Sequence, residues 1–567
     1  MSGSTADESF SPSLFTIIRD QTHKLTAINI TVLTTAVLIL TTTLLLHHLA
    51  SRNPILDAHE PPEIQPRIPY LGHLLGAITS HTAYAHRIWT AHPTKPVVTF
   101  FLGPIKCYAI FHPNLQHTII RSRAVKYDEY PPAAVPAGFG VDPRVMAVLN
   151  RPEFSGRYMH EASSMLGGAT MRSMEKRAFA YLASQLNNLP HTTTTAESLY
   201  TWLRDTMSMA TAEALFGARN PYRTRADGDE MSLIRDQWTF EGSLGRLLLS
   251  PTSAVARALA PAGCRARDRV HAALVGYYAA GDEVHGAAEM VQRRAGMLRE
   301  AGLSAAEFGP HEITAMHGAT SNTIPSLFWT VANVYLRPGL LEELRVELEG
   351  VVEVLEQDAV ESKKRVRIKT ADLESSCPLL ANCVREALRL SSQWIGWRST
   401  HANIEIPADR SPDGRPYLLK KGVQVIMPAG ITHRAPSFWS TATAEEPESS
   451  KHGRDSGGVE DFNPHRFTAQ SKHKIKSTKG GLGYMPFGGG PYLCPGRNFA
   501  NDEILGFVSA LVLGFDIVGL RQDKVKMRPA RIFEVSAKPA KGGDGGRVEI
   551  QRRRDWEHVH FEFVFVE

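Results

Sequence analysis

A single cysteine, Cys494, lies in a loop of glycines and prolines, "PFGGGPYLCPGRNFA", immediately before an apolar helical pattern. This loop constrains the fold most, because an inert core thiol does not need so much permissive backbone around it. Glycines suit a loop whose sulfur meets a large flat partner, beside which bulky side chains would clash. A thiolate is a soft, strongly donating metal ligand, and the N-terminus of the following helix favours its negative charge. A glycine-rich turn that carries an unreactive thiol is the alternative.

Helical periodicity dominates the rest of the chain. Long amphipathic stretches cover residues 175–186, 198–215 and 267–303, whereas strand patterns are short and collect towards the two ends. A hairpin is predicted at residues 95–111, and another strand at 422–427. This distribution predicts a mainly α fold, in which one large helical domain carries small peripheral β-sheets, and it argues against alternating β and α units.

An uncharged stretch of 22 residues, 25–46, lies near the N-terminus. As a helix rising about 1.5 Å per residue it would span roughly 33 Å, enough for a bilayer core. A cleaved signal peptide and a buried helix are the alternatives, but the length of the run favours an uncleaved single transmembrane helix. We therefore predict a tail at 1–24, the anchor, a proline-rich linker at 47–76 and a catalytic domain at 77–567, with a polar surface insertion at 440–459.

Charge and cysteine content exclude some classes of protein. The formal net charge is +5, from 63 basic and 58 acidic side chains, which does not suggest a nucleic-acid partner. The five cysteines are scattered and form no C-x-x-C pair. This content fits a reducing compartment and not a disulfide framework.

Two further motifs precede the cysteine loop. Glu386 and Arg389 of "EALR" are one helical turn apart, and Arg466 lies in "FNPHRF". Taken alone, such a Glu–Arg pair is usually a salt bridge on a helix surface. A carboxylate between two guanidiniums can instead be buried with its hydrogen bonds satisfied.

The pattern F-x-x-G-x-x-x-C-x-G at residues 487–496 resembles the haem-ligand signature of the cytochrome P450 superfamily. "EALR" ends 105 residues before Cys494, and "HRAPSFW" and "FNPHRF" stand between them in the order that the family implies. The resemblance covers nearly everything after the predicted anchor. It implies the P450 fold, haem b (iron protoporphyrin IX) as the cofactor and Cys494 as the axial iron ligand. The residues it implies for haem binding around that ligand are Phe487, Gly488, Gly490 and Gly496.

The resemblance also implies that Glu386, Arg389 and Arg466 form a buried structural lock for folding and haem retention. Two departures from the family pattern concern the haem propionates. Tyr492 stands where an arginine or histidine is usual, and the usual Trp-x-x-x-Arg pair is not found near "MRSMEKR". Arg398 is therefore predicted to neutralise a propionate.

The segment "TAMHGATSNTIPSLFW", residues 314–329, matches the long helix that crosses the distal face of the haem in this family. Asn322 and Thr323 stand where most monooxygenases of the family place an acid and an alcohol, which makes them the predicted catalytic residues. An amide cannot pass protons as a carboxyl does. Pro325 predicts a kink. His317 is predicted to be a core histidine satisfied by a carbonyl, and a histidine that faces the substrate pocket is the alternative. From the residues alone, an ordinary buried helix is the alternative.

The pattern Asn-Thr-x-Pro-x-x-Phe-Trp, together with "MPFGGGPYLCPGR", resembles the branch of sterol 7α- and 12α-hydroxylases, prostacyclin synthase and their fungal relatives. This resemblance implies a membrane-anchored monooxygenase that hydroxylates or epoxidises a sterol, terpenoid or polyketide-derived substrate. Electrons would come from NADPH through NADPH–cytochrome P450 reductase, with cytochrome b5 as a further partner. The expected location is the endoplasmic reticulum membrane, with the catalytic domain in the cytosol.

Two other functions remain open at this point. One is a reductase-independent isomerase or dehydratase that acts on a peroxide, because the same branch contains such an enzyme. The other is a haem-binding sensor or membrane scaffold without turnover.

Overall fold

The computed structural model describes residues 38–49, 51, 53, 55–126, 134–164, 166–223, 228–250, 252–355, 364–439, 458–467, 483–531 and 534–565. Helices predominate among the described elements, which bears out the predicted mainly α class. The helices, in chain order, are α1 (38–49), α2 (Gly72–Ser80), α3 (Thr82–Ala91), α4 (Pro113–Ile120), α5 (Ala134–Phe139), α6 (Pro143–Leu149), α7 (Pro152–Ser164), α8 (Gly168–Asn187), α9 (Leu199–Phe216), α10 (Ser232–Leu248), α11 (Ser253–Leu259), α12 (Pro261–Ala280), α13 (Glu289–Glu300), α14 (Ala305–Phe308), α15 (Ile313–Thr320), α16 (Thr323–Tyr335), α17 (Pro338–Glu349), α18 (Leu373–Ser376), α19 (Pro378–Ser391), α20 (Ala429–Thr432), α21 (Pro436–Trp439) and α22 (Arg497–Gly514).

Helix α16 lies at the centre of the domain. Eleven of its thirteen residues are buried, and a helix that is buried on nearly every side belongs in the middle of a large core. It packs against α9, α19 and α22. The helix that follows Cys494 and the helix that carries Glu386 and Arg389 therefore share one core with the predicted distal segment.

The strands form small sheets at the periphery, as predicted. The largest has the order β1-β2-β10-β7-β3 and carries Arg398 on β7. The others have the orders β11-β14-β4, β15-β6-β5, β12-β13 and β8-β9. The strands are β1 (Val97–Leu102), β2 (Ile105–Ile110), β3 (Val125–Lys126), β4 (Thr193–Ala196), β5 (Glu353–Leu355), β6 (Arg365–Lys369), β7 (Ile395–Thr400), β8 (Ile404–Ile406), β9 (Tyr417–Leu419), β10 (Gln424–Pro428), β11 (Phe515–Val518), β12 (Val525–Met527), β13 (Pro539–Asp544), β14 (Val548–Arg552) and β15 (His560–Val564).

Local sequence signals account for several boundaries. The predicted hairpin is β1 and β2, which pair antiparallel from Val97↔Ile110 to Leu102↔Ile105. The amphipathic stretch 267–303 contains parts of two helices. Gly281 ends α12 with a left-handed φ of 71°, and its amide donates to the carbonyl of Tyr278. Glycine takes this conformation without a steric cost, so it commonly terminates helices.

The N-terminal predictions are tested only in part. Residues 25–37 of the predicted anchor lie outside the described residues, and the helix 38–49 covers all of the remainder. Among the helices that the structure describes, none is long and apolar enough to cross a membrane. The predicted surface insertion lies almost wholly outside the described residues, which resume at residue 458.

The proline-rich segment is not a free spacer along its whole length. Ile64 is buried, and its amide donates to the carbonyl of Thr99 on β1, while the Thr99 hydroxyl donates to the carbonyl of Pro61. The predicted boundary after residue 76 falls inside α2. The folded domain therefore begins earlier than predicted, because the extended backbone around Ile64 pairs with the edge of β1.

Candidate functional site

The loop around Cys494 is held in a specific backbone conformation. It runs through a 3₁₀ turn, Gly490–Tyr492, and Cys494 then lies three residues before the start of α22. The Cys494 amide donates to the carbonyl of Phe487 at 3.0 Å. Gly488 and Gly490 have φ angles of 79° and 65°, which side chains other than glycine rarely adopt. These hydrogen bonds and turns fix the sulfur at the entrance of a helix.

The Cys494 thiol is partly buried and lies near backbone donors. Burial raises its pKa, whereas hydrogen bonds from the Gly496 and Arg497 amides and the charge of Arg497 oppose that rise. The Arg497 side chain also donates to the Cys494 carbonyl at 3.2 Å. Donors directed at a thiolate reduce the electron density it gives to a metal, and so tune that metal.

The glycines of the loop have different reasons to be glycine. A Cβ atom at Gly490 would overlap the carbonyl oxygen of Ile120, so the loop is pressed against the end of α4. A Cβ atom at Gly496, where φ is −81°, would meet only the Leu166 side chain, at 4.0 Å. The chain itself therefore leaves room beside the sulfur at Gly496. A flat group that lies against the loop accounts for this room, so the residues present fit a haem.

His433 supports this loop, and it had no predicted role. It is fully buried; its Nε2 accepts from the Met485 amide at 3.0 Å, so its Nδ1 carries the hydrogen and donates to the Ser392 carbonyl at 3.0 Å. Burial lowers the pKa of His433 to about 3. Trp394 Nε1 donates to the Met485 carbonyl at 2.7 Å, and the Ser392 hydroxyl donates to the Pro486 carbonyl at 3.1 Å.

Glu386, Arg389 and Arg466 meet in one buried cluster. Arg389 Nε and Nη2 donate to the two carboxylate oxygens of Glu386, each at 2.7 Å, and Arg466 Nε donates to Oε1 at 3.1 Å. The side chains of Glu386 and Arg389 have no exposed surface, and that of Arg466 is 2% exposed. The Asn463 amide is a further donor to Glu386 Oε1, at 3.0 Å.

The same arginines join the cluster to the segments around it. Arg389 Nη1 donates to the carbonyls of His433 and Val459, at 2.7 and 2.8 Å, and Arg466 Nη1 donates to the carbonyl of Trp439 at 2.6 Å. Because His433 also holds Met485, the cluster reaches the cysteine loop through one intervening side chain. Apart from their bonds to Glu386, these arginines donate to backbone carbonyls of separate segments, an arrangement that suits the predicted structural lock.

Arg398 and Tyr492 lie against each other. The Arg398 guanidinium is 5.0 Å from the centre of the Tyr492 ring, and Arg398 is buried on β7. Its Nη1 donates to the Trp397 carbonyl at 2.8 Å. The structure therefore brings the predicted propionate partner to the position where the family pattern has a basic residue, two residues before Cys494.

The central helix is interrupted at the predicted catalytic residues. Helix α15 ends at Thr320 and α16 begins at Thr323. Pro325 has no amide hydrogen to donate to the carbonyl four residues earlier, which accounts for the break. The Thr323 hydroxyl donates to the carbonyl of Ala319 at 2.8 Å and so bridges the interruption.

Asn322 holds a distant segment in place. Its Oδ1 accepts from the amide of Ser536 at 3.2 Å, and Ser536 also forms an isolated β-bridge with Ser392. Ser392 in turn donates to Pro486, in the cysteine loop. These contacts connect the break in the central helix to the loop of Cys494 through two serines.

A cavity opens beside the break. It lies between α10, the end of α15 and the residues Arg531, Glu534 and Lys538, and its volume is about 30 Å³. His317 faces it, which is the alternative to the predicted core histidine. Its partner is not a carbonyl: its Nδ1 lies 3.4 Å from the buried Glu241 carboxylate. Sequence reasoning missed Glu241, because residues on separate helices gave no local signal.

The chain matches the family model "Cytochrome P450" over residues 298–542. It is 29% identical to a cytochrome P450 monooxygenase of Gibberella zeae over 90% of this chain and 92% of that protein. It is 28% identical to the 25-hydroxycholesterol 7-alpha-hydroxylase of Rattus norvegicus, over 43% of this chain and 55% of that protein. The crystal structure of a cytochrome P450, CYP102L1, superposes with a TM-score of 0.61 at 16% identity, over 88% of this chain and 100% of that one.

A mainly helical fold with a cysteine at the entrance of a buried helix fits the class of haem-thiolate proteins. Residues 298–542 form a cytochrome P450 domain, and the relatives of the chain include fungal cytochrome P450 monooxygenases and sterol 7α-hydroxylases. It is an oxidoreductase of the cytochrome P450 monooxygenase kind, with haem iron as its cofactor.

Proposed function

We propose that this chain uses haem b to hydroxylate or epoxidise a lipophilic substrate of the sterol, terpenoid or polyketide-derived class. Electrons come from NADPH through NADPH–cytochrome P450 reductase, with cytochrome b5 as an additional donor. The observation that carries the proposal is the cysteine loop, in which the Cys494 sulfur lies beside the amides of Gly496 and Arg497. Phe487, Gly488 and Gly490 shape that loop around the haem.

When bound, the haem supplies the activation of dioxygen, and its thiolate ligand favours cleavage of the O–O bond. The residues of the chain would hold the haem and position the groups around it. Cys494 holds the iron, and Arg398 balances a propionate charge. The Thr323 hydroxyl donates to Ala319, so its oxygen remains able to accept a further hydrogen bond. Asn322 carries no titratable proton, so it orients the segment at Ser536 and does not relay protons.

The substrate class follows from the relatives and from the core. One relative is named for its action on 25-hydroxycholesterol, and the Asn-Thr-x-Pro pattern is the part of the central helix that this chain shares with that branch. The cavity beside the break is bounded by Leu244 and the glycines of α10 as well as by charged side chains. The polar side chains of this wall suit the polar end of a lipophilic molecule.

We further propose that residues 25–46 anchor the domain in the endoplasmic reticulum membrane, with the catalytic domain in the cytosol. The support is the uncharged sequence and the exposure of apolar side chains in α1, among them Leu38, Leu40 and Leu44. A chain that lacks residues 1–46 should leave the membrane fraction in flotation experiments. Retention of the shortened chain in the membrane fraction to the same extent would contradict the anchor.

The reaction is tested with membranes that carry the protein, the reductase, NADPH and isotope-labelled dioxygen. A panel of sterols, terpenoids and peroxidised lipids is supplied, and products are identified by mass. The proposal predicts a product with one labelled oxygen atom that does not form without NADPH. Cys494→Ala should abolish it, whereas Cys264→Ala, at a buried cysteine of α12, should not.

The same experiment distinguishes the other functions. The replacement of the usual acid by Asn322 keeps a reductase-independent isomerase or dehydratase as the second candidate, because that chemistry needs no proton relay to dioxygen. Conversion of a peroxide without NADPH and without labelled oxygen would establish that candidate. A spectral response to ligands with no product from any of them would instead indicate a haem-binding sensor.

A further inference from the structure

The cavity beside the central helix has an unusually polar wall. Its lining includes Glu241 of α10, His317 and Asn322 of the interrupted helix, and Glu534 and Lys538 of the segment that precedes β13. A pocket for an apolar molecule needs only a few convergent polar groups, and those groups fix orientation. The question is which chemical group this wall recognises.

Glu241 is the buried centre of the wall. Its side chain is 1% exposed. Oε1 lies 3.4 Å from His317 Nδ1 and accepts from Gln237 Nε2 at 3.3 Å. Oε2 lies 3.6 Å from Lys538 Nζ and has no hydrogen-bond partner among the residues that the structure describes. A buried carboxylate oxygen without a donor is costly, so a donor from outside the chain is expected there.

The charges around Glu241 keep it ionised. Burial alone would raise its pKa, but His317 and Lys538 more than offset that effect, and the pKa of Glu241 is lowered. An ionised carboxylate with a lowered pKa accepts hydrogen bonds well and gives up protons poorly. Glu241 therefore suits recognition of a donor better than delivery of protons.

The charged groups next to Glu241 are paired with one another. Lys538 lies between Glu241 and Glu534, 3.8 Å from the latter, and its ammonium also lies 5.2 Å from the Trp238 ring centre. Arg528 donates to both oxygens of Glu534, at 2.7 and 2.8 Å. Two carboxylates thus face two cations, and the remaining cation of the lining, Arg531, belongs to an exposed residue. The atom without a donor is a carboxylate oxygen, which repels an anion, so a neutral hydrogen-bond donor is favoured there.

We propose that Glu241 Oε2 accepts a hydrogen bond from a hydroxyl group of the substrate, and that Lys538 and His317 hold Glu241 in position for it. The substrate class is thereby narrowed to lipophilic alcohols. This inference rests on the proposed function, because it takes the cavity as part of the substrate site. Asn322 connects the cavity to the cysteine loop through Ser536, Ser392 and Pro486.

The test measures binding and needs no turnover. Ferric holoprotein is titrated with pairs of a free alcohol and its methyl ether on sterol, terpenoid and long-chain scaffolds, together with the sulfate ester of each alcohol. The shift of the Soret absorption band reports binding. For at least one scaffold, the alcohol should bind about tenfold or more tightly than its ether, because a hydrogen bond to a charged group is lost.

Variants distinguish recognition from structure. Glu241→Gln should bring the alcohol and its ether to within about twofold of each other, whereas a merely structural role would weaken both equally. Glu405→Gln, an exposed carboxylate on β8, should preserve the preference. The carbon monoxide difference spectrum shows whether each variant keeps its haem-thiolate bond.

Three results would overturn the inference: no scaffold shows a preference for its alcohol, the preference survives in Glu241→Gln, or the sulfate ester binds most tightly. The last result would assign the wall to an anion held by Lys538 and Arg531. A failure of the proposed function is distinguishable from a failure of this inference. In the first case no labelled product forms, but the Soret titration still shows the preference for alcohols.

Discussion

The buried cluster of Glu386, Arg389 and Arg466 predicts a large effect from a small chemical change. Glu386→Gln keeps the shape of the side chain and removes its charge. In the wild type the carboxylate accepts four hydrogen bonds, three of them from guanidinium groups. The variant leaves two buried guanidiniums without a counter-charge, and breaking a buried ion pair in this way costs about 3–5 kcal/mol.

That cost is a large fraction of a typical unfolding free energy of about 5–15 kcal/mol. The assay is denaturation of the holoprotein by urea, followed by the carbon monoxide difference spectrum and by circular dichroism. We expect both transitions of Glu386→Gln to move to clearly lower urea concentrations, with haem released first. Glu289→Gln is the matched control, since it removes the carboxylate of an exposed i,i+4 pair with Arg293.

The control should unfold as the wild type does, because exposed ion pairs contribute little. The reasoning would be refuted if Glu386→Gln differed from the wild type by less than about 1 kcal/mol, well under the expected cost of a broken buried pair. It would also be refuted if the two variants were destabilised equally, because burial would then not explain the effect.

Three further predictions concern the surroundings of the cysteine. Gly490→Ala should lower haem retention and the unfolding midpoint, because the new methyl group overlaps the Ile120 carbonyl and the φ angle of residue 490 is 65°. Gly276→Ala is the control: it lies at an exposed helical position with open space and should be neutral or slightly stabilising. If Gly490→Ala kept the haem retention and the unfolding midpoint of the wild type, this packing would be contradicted. His433 stays neutral in the fold down to a pKa of about 3, whereas the unfolded chain protonates near pH 6.5. Its contribution to stability is therefore fully present above about pH 6.5 and falls by roughly 1.4 kcal/mol per pH unit below it. The unfolding free energy of His433→Gln should therefore depend less steeply on pH between pH 6.5 and 5 than that of the wild type. An identical slope would disprove this assignment. Arg398→Gln should release haem faster than the wild type in a transfer assay to apomyoglobin, and an equal rate would remove Arg398 from the propionate site.

The parts of the site that could be predicted from sequence are those carried by short motifs with fixed spacing. Cys494, its glycines and the Glu386 cluster belong to this group, because each motif encodes one local backbone conformation. The hairpin of β1 and β2 was predictable for the same reason. The end of α12 was signalled by Gly281, a residue that favours a left-handed helix terminus.

The remaining features depend on contacts between segments far apart in the chain. Glu241 and Lys538 lie 297 residues apart, and their meeting at the cavity follows only from the packing of α10 near the segment that precedes β13. His433 lies in the motif "HRAPSFW", but its role depends on hydrogen bonds to Met485 and Ser392, which the motif does not contain. The extended segment at Ile64 was predicted to be a linker because its hydrogen-bond partner, Thr99, lies in another element of the chain.

The central claim is that Cys494 binds the haem iron, and the carbon monoxide complex of the reduced protein tests it most directly. The wild type and Cys264→Ala should show the long-wavelength absorption band of thiolate ligation. Cys494→His should lose that band and, where haem is retained, show the shorter-wavelength band of imidazole ligation. A thiolate-type band in Cys494→His, or its loss in Cys264→Ala, would contradict the assignment of Cys494.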